Sequence, residues 1–253
     1  CGIQSNPDNH IKNIITVMSG KGGVGKSTVT VMLAKAMAKK GLKVGIMDAD
    51  ITGPSIPRLL ALSNEHAFGN EKQQLIPVES KEGIKVMSLN FLVQSESDPV
   101  IWRGPVIGGV VKQFYTDVVW DNVDYMFVDM PPGTSDVPLT AFQSFPLDGI
   151  VVVTSPQELV SMVVEKAINM AQSMDIKVLG LIENMSYVEC PNCNEKIEIF
   201  GKSHINEVSE KYGLPVLAKI PMRQKVAESA DEGTMEDLEI PEIKDAVSFI
   251  EGK

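Results

Sequence analysis

Gly20-Lys21-Gly22-Gly23-Val24-Gly25-Lys26-Ser27-Thr28, directly after an apolar run at residues 14–18, decides how this chain is read. It satisfies G-x-x-x-x-G-K-[ST], the pattern of a loop that cradles phosphate. Glycines let successive backbone N–H groups converge on phosphate oxygens with no Cβ in the way. The Lys26 ammonium then serves the β- and γ-phosphates of ATP, and the Ser27 hydroxyl serves Mg²⁺. A helix opening at this point turns its positive end toward the same anion. The stretch also contains G-x-G-x-x-G through Gly20, Gly22 and Gly25, with Asp48 at about the spacing of a dinucleotide site's acid. That motif gives no reason for a Lys-Ser pair after the third glycine, so the mononucleotide reading is preferred. Lys21 is an extra base near the start of the loop. It can point away from its own phosphates and, in a face-to-face dimer, reach the partner's nucleotide.

Outward from the loop, the next apolar run, residues 44–47, ends in Asp48-Ala49-Asp50. If this strand neighbours the first, two acids stand beside the phosphates. Asp48 is assigned to the Mg²⁺ shell and Asp50 to the attacking water; the reverse order, or a role for either in capping the following turn, stays open. Residues 125–128 form another apolar run that ends in Asp129, the Walker B arrangement, expected to bind Mg²⁺ through water. Met130-Pro131-Pro132-Gly133-Thr134 follows. The Gly133 N–H is expected to approach the γ-phosphate, and the two prolines stiffen the segment into a lever.

Further apolar runs lie at residues 84–89, 150–153, 178–182 and 216–220, continuous rather than alternating, as in strands covered on both faces. Helical patterns at 26–40, 104–119 and 161–174 separate most of them. This alternation predicts an α/β fold: a doubly wound, mostly parallel sheet with helices on both faces and ligands at the carboxyl ends of the strands. Residues 75–78 and 84–89 are expected to pair as a hairpin at the end of the irregular stretch 51–83. No repeat or linker divides the 253 residues, so one domain is expected, with residues 1–13 as an N-terminal tail. A start at Cys1 rather than Met suggests a preceding segment.

Composition excludes several classes. Apolar residues at 43% and charged residues at 22% are an ordinary globular balance. The net charge of −10, with no basic cluster, disfavours nucleic acid, and no apolar run approaches a membrane span. A soluble, cytoplasmic protein is expected. Cys190-Pro191-Asn192-Cys193 holds two of the three cysteines, too few for a disulfide framework. A redox pair, half a Zn²⁺ site and half an iron–sulfur site all remain open. A redox pair normally opens a helix, whereas the following Asn194-Glu195-Lys196-Ile197 reads as turn and strand. Two thiolates are half a tetrahedral set, which a two-fold dimer would complete. His204 is a further possible ligand, read more simply as a surface residue. His10 and His66 lie in polar segments, and Trp102-Arg103-Gly104-Pro105 reads as a helix entry.

Residues 20–28, 48–54, 102–105, 129–136, 154–157, 183–185, 190–193 and 199–201, in this order and spacing, resemble the Mrp/ApbC family of iron–sulfur cluster carrier ATPases. These belong to the deviant-Walker P-loop NTPases, with MinD, ParA and the nitrogenase iron protein. The resemblance covers nearly the whole chain. It implies an ATP-dependent homodimer in which Lys21 acts across the interface. It also implies a labile [4Fe–4S] cluster held between two protomers by Cys190 and Cys193 of each, in a segment at residues 186–201, and delivered to apo-proteins alongside cluster-assembly scaffolds. Asn184 resembles the adenine-contacting asparagine, with Ile220-Pro221 on the other side of the base. Cys1 resembles the last cysteine of an N-terminal ferredoxin-like motif found in some members. Two departures stand out: Ser135 replaces a usual glycine, and residues 202–208 lack a glycine-rich run. Hydrolysis is expected to be slow, because no arginine finger is evident. The rival readings are a zinc-stapled targeting ATPase and a scaffold whose oligomeric state follows nucleotide.

Overall fold

All seven apolar runs become strands of one sheet. The computed structural model describes residues 6–51, 53–93, 104–134, 136–157 and 160–252. In chain order the strands are β1 (His10–Ser19), β2 (Val44–Asp48), β3 (Val78–Glu79), β4 (Lys85–Met87), β5 (Asn122–Asp129), β6 (Gly149–Thr154) and β7 (Val178–Glu183). A separate two-stranded hairpin, β8 (Val188–Glu189) and β9 (Lys196–Ile197), precedes β10 (Val216–Lys219). The large sheet runs β10-β7-β6-β1-β5-β2-β4-β3, and only the β3–β4 pair is antiparallel.

β1 and β2 are not neighbours, so the condition for placing Asp48 directly beside the loop is not met. β5 lies between β1 and β2, with Val17 paired to Asp129 and Asp48 paired to Asp129. Continuous apolar runs carry no record of lateral order, so a strand far along the chain can insert between two early ones. Asp48 therefore meets the loop across Asp129. The expected hairpin forms as β3–β4, with Val78 opposite Val86, while Leu75 instead bridges Gly69 and Val118.

The helices are α1 (Lys26–Ala38), α2 (Ile56–Leu59), α3 (Gly104–Thr116), α4 (Asp136–Ser144), α5 (Val160–Ser173), α6 (Ile205–Tyr212), α7 (Gln224–Glu232) and α8 (Lys244–Glu251). Strand order assigns their faces. The crossovers β1–α1–β2 and β2–α2–β4 advance one way across the sheet. Those carrying α3, α4, α5 and α6 advance the other way, so right-handed connections put the two groups on opposite faces. Packing agrees: α1 meets α2 and α8, α3 meets α4, and α5 meets α6. The direction reverses around β1 and β5, and a crevice opens there at their carboxyl ends.

Val17, Ile46, Phe127, Val152 and Leu181 are fully buried in the centre of the sheet. Each side chain of this size contributes about 1.5–3 kcal/mol by leaving water. α1 is buried nearly all round, between the sheet and α8, so the helix behind the phosphate loop is held from both sides. Trp102, Arg103, Ser135 and Cys1 lie outside the described residues.

Candidate nucleotide site and cysteine hairpin

The loop at residues 20–25 joins β1 to α1 along the sheet's carboxyl edge. Gly25 caps α1 in the left-handed region, at φ 77°. A Cβ there would also lie 2.2 Å from Asn184 Nδ2, so both backbone and space require glycine. A cavity of about 270 Å³ opens over the loop. Residues 21–28 line it together with Asp50, Gly53, Ser55, Leu59 and Pro132.

Asp129 is the hub beneath this cavity. It is fully buried, and its Oδ2 forms an ion pair with Lys26 Nζ at 2.8 Å and accepts from Ser27 Oγ at 2.6 Å. Its Oδ1 accepts from Thr30 Oγ1 at 2.7 Å. The lysine, the hydroxyl and the Walker B acid, read from separate parts of the sequence, thus meet at one carboxylate. A serine hydroxyl beside a carboxylate is a hard oxygen donor set, and it fits Mg²⁺ bound jointly with phosphate oxygens.

Asp48 lies next to Asp129 and does not line the cavity. Its Oδ2 accepts from Ser88 Oγ at 3.1 Å and its Oδ1 from the Asp50 N–H at 3.2 Å. Burial, reinforced by the charge of Asp129, pushes its carboxyl well above the usual carboxylate range against the pull of Lys26. Asp50 does face the cavity.

Lys21 is exposed, with its ammonium donating to Gln157 Oε1 at 3.2 Å. The Gly133 N–H donates to the Ser19 carbonyl at 2.8 Å, so in this conformation it serves the end of β1. Asn184 sits behind the loop and donates Nδ2 to the Val24 carbonyl at 3.0 Å. Pro221 is buried beyond β10, where the Ile220 N–H donates to the Glu183 carbonyl and the Ile220 carbonyl accepts from Ser186. Neither Asn184 nor Pro221 lines the 270 Å³ cavity.

The cysteines occupy the turn of the β8–β9 hairpin, whose pairs are Val188–Ile197 and Glu189–Lys196. The Cys190 N–H donates to the Glu195 carbonyl and the Asn194 N–H to the Cys190 carbonyl, each at 2.9 Å. Hydrogen bonds from the Asn192 and Cys193 backbone, then from the Cys193 thiol, lower the Cys190 thiol below its ordinary range. Neither cysteine opens a helix, unlike a thioredoxin-type pair. His204 turns to Glu207 at 3.1 Å. Among the described residues, no group of three or more His, Cys, Asp or Glu forms a metal cluster.

Two contributors were not read from the sequence. Thr30 follows Lys26 by four residues, one helical turn, so that spacing was a usable signal. Ser88 reaches Asp48 only because β4 lies beside β2, which no local pattern records.

A parallel sheet with a phosphate loop after β1 and a lysine–serine–aspartate cluster beneath it defines a P-loop nucleoside triphosphatase. Residues 10–251 match the family described as ParA: NUBPL iron-transfer P-loop NTPase, and the chain belongs to that family. It is 47% identical to an iron-sulfur cluster carrier protein of Clostridium perfringens, covering 90% of this chain and 82% of that one. A protein of the same description from Methanocaldococcus jannaschii is 45% identical, with 88% and 77% covered. The iron-sulfur cluster transfer protein NUBPL of Dictyostelium discoideum is 43% identical, with 88% and 69% covered. Among solved structures, a nucleotide-binding protein from Archaeoglobus fulgidus in complex with ADP superposes with a TM-score of 0.81 at 44% identity, covering 92% of this chain and 90% of that one. MinD of Aquifex aeolicus, at 22% identity and a TM-score of 0.67 over 95% of this chain and 98% of its own, shares the fold. These findings agree with the resemblance carried by residues 20–28, 129–136 and 190–193. Among the described residues no helix is long and apolar enough to cross a membrane.

Proposed function

We propose that the protein is an ATP-binding, slowly hydrolysing homodimer that carries a [4Fe–4S] cluster between its two protomers and hands it to apo-proteins. The observation that carries this reading is the state of the cysteines. Cys190 and Cys193 stand at the turn of a hairpin outside the core, with no further ligand cluster among the described residues. One chain offers half of a tetrathiolate set, and a two-fold axis through this face supplies the other half. Ile197, Ile199 and Phe200, all exposed next to the pair, give that face the apolar surface an interface uses. Single-domain character, with the 186–201 segment at the interface, belongs to the same reading. So does a cytoplasmic setting, where free thiols persist.

The nucleotide chemistry rests on the buried cluster. Phosphate oxygens of a bound nucleotide would take the Lys26 ammonium from Asp129, and Ser27 and Asp129, with Asp48 behind them, would hold a Mg²⁺ that neutralises phosphate charge. Asp50, at the cavity wall, orients water, and Lys21 leaves Gln157 to reach the partner's nucleotide. Asn184 and Pro221 flank the base. Among the described residues no arginine lines the cavity, which fits little extra charge on the transferring phosphoryl group and slow turnover.

The test is anaerobic reconstitution with assay of iron, acid-labile sulfide and zinc, beside Cys190→Ser/Cys193→Ser. About four irons and four sulfides per dimer are expected, and they vanish in the variant. Stoichiometric zinc with no cluster would make the pair a staple and overturn the carrier reading.

A further inference from the structure

Glu183 and Asn184, adjacent at the end of β7, face two different parts of the molecule. Asn184 donates to the Val24 carbonyl and packs against Gly25, inside the phosphate loop. Its own N–H donates to the Thr154 carbonyl at 2.8 Å, which fixes it to β6. Glu183 is 1% exposed and binds two serines, one through each carboxylate oxygen. Oε2 accepts from Ser186 Oγ at 2.5 Å and Oε1 from Ser203 Oγ at 2.6 Å. Ser186 is where the chain leaves the core for the cysteine hairpin, and Ser203 is where it returns to start α6.

Residues 191–202 are all exposed, so little packing sets the direction in which the hairpin projects. Besides backbone pairing, its root has few anchors: the Glu183 clamp, Lys196 over the Tyr187 ring at 4.4 Å and Glu189 near Arg223 at 4.0 Å. The latter two are surface contacts of small worth. The Ser186 bond is buried and the Ser203 bond partly so, and both end on a carboxylate, the stronger kind of hydrogen bond.

We propose that Glu183 is a positioning residue that couples the phosphate loop to the cysteines. Displacement of Val24 and Gly25 by nucleotide moves Asn184. Its neighbour then carries the motion to both ends of residues 187–202 at once, turning the thiol pair relative to the dimer axis. A carboxylate bound at only one end of the segment would tilt it; bound at both, it moves the hairpin as a body. The inference deepens the carrier reading and rests on it for its biological meaning.

The test is hydrogen–deuterium exchange on the full chain without cluster, with and without the magnesium complex of a non-hydrolysable ATP analogue. Ser203→Ala removes the return-side bond and leaves every cavity residue and both thiols in place. Glu183→Gln, of equal volume, removes the charge and serves as the second variant. In the unaltered protein, nucleotide is expected to change exchange across 187–202. That change is expected to fall at least about threefold in either variant, while nucleotide protection of residues 20–28 stays the same. A purely structural role would loosen 187–202 equally with and without nucleotide and keep the difference, which overturns the proposal. An unaltered protein with no response in 187–202 overturns it too. The two readings fail separately: a linked response in a protein that binds no iron or sulfide keeps the coupling and ends the carrier reading. A loaded cluster without the response ends the coupling alone.

Discussion

Asp129 holds three partners within 2.8 Å at zero exposure, whereas every residue from 191 to 202 around the cysteines is open to water. The two regions lie on the same edge of one sheet and are built by opposite means. At the phosphate loop, a buried lysine, two hydroxyls and a carboxylate fix one another before any ligand arrives. Such a site has its charged groups already gathered, and a phosphate ligand has only to draw Lys26 from Asp129. At the hairpin, the thiols are presented on a short antiparallel pair anchored at its root. A cargo that must enter and leave suits the second arrangement, since ligands held deep in a core exchange slowly. On the proposed reading, the contrast separates a preorganised nucleotide site from an accessible half of a cargo site.

The sharpest way to break this contrast is Lys26→Ala. It deletes the phosphate contact and leaves Asp129 buried with no cation, a change worth about 3–5 kcal/mol for a buried pair. Nucleotide affinity by calorimetry is expected to fall at least about 10²-fold, with iron and sulfide loading unaffected. Affinity within tenfold of the unaltered protein would show that the cluster under the loop is not the nucleotide site.

The next effect is a pH dependence. Asp48 has its carboxyl raised in the folded state, chiefly by burial, from an ordinary value of 3.8. The folded protein therefore holds that proton more tightly than the unfolded chain. The associated stability is fully present below about pH 3.8 and is lost as pH rises through the folded value. Asp48→Asn, which removes the charge and keeps the shape, is expected to raise the nucleotide-free Tm at neutral pH and flatten its decline with rising pH. Equal pH profiles for the two proteins would mean that Asp48 is not strained by its burial beside Asp129.

The smallest effect belongs to the hairpin surface. Ile199→Ser and Phe200→Ser replace exposed side chains, so unfolding of the monomer is expected to shift by less than about 0.5 kcal/mol. Sedimentation of the cluster-loaded protein should nonetheless move toward monomer. A large loss of monomer stability would instead make the hairpin part of the core, and the contrast would disappear.

The chemistry was legible in the sequence because it is local. Residues 20–28 are contiguous, and the spacing of their glycines, lysine and serine alone specifies a loop of converging N–H groups. The strands, too, announced themselves: a run buried on both faces must be apolar throughout, as at 150–153. The Asn-Glu-Lys-Ile segment after Cys193 read as turn and strand, and it folds so. What pairs across distance left no trace. That β5 separates β1 from β2 follows from packing of the whole sheet, so the sequence placed Asp48 beside the loop only on condition that β1 and β2 were neighbours, and it lies one strand further away. Ser88 near Asp48, and Glu183 between Ser186 and Ser203, arise the same way. Hydrogen-bonding residues of these types occur everywhere in a sequence, and only the tertiary structure decides which of them share a buried carboxylate.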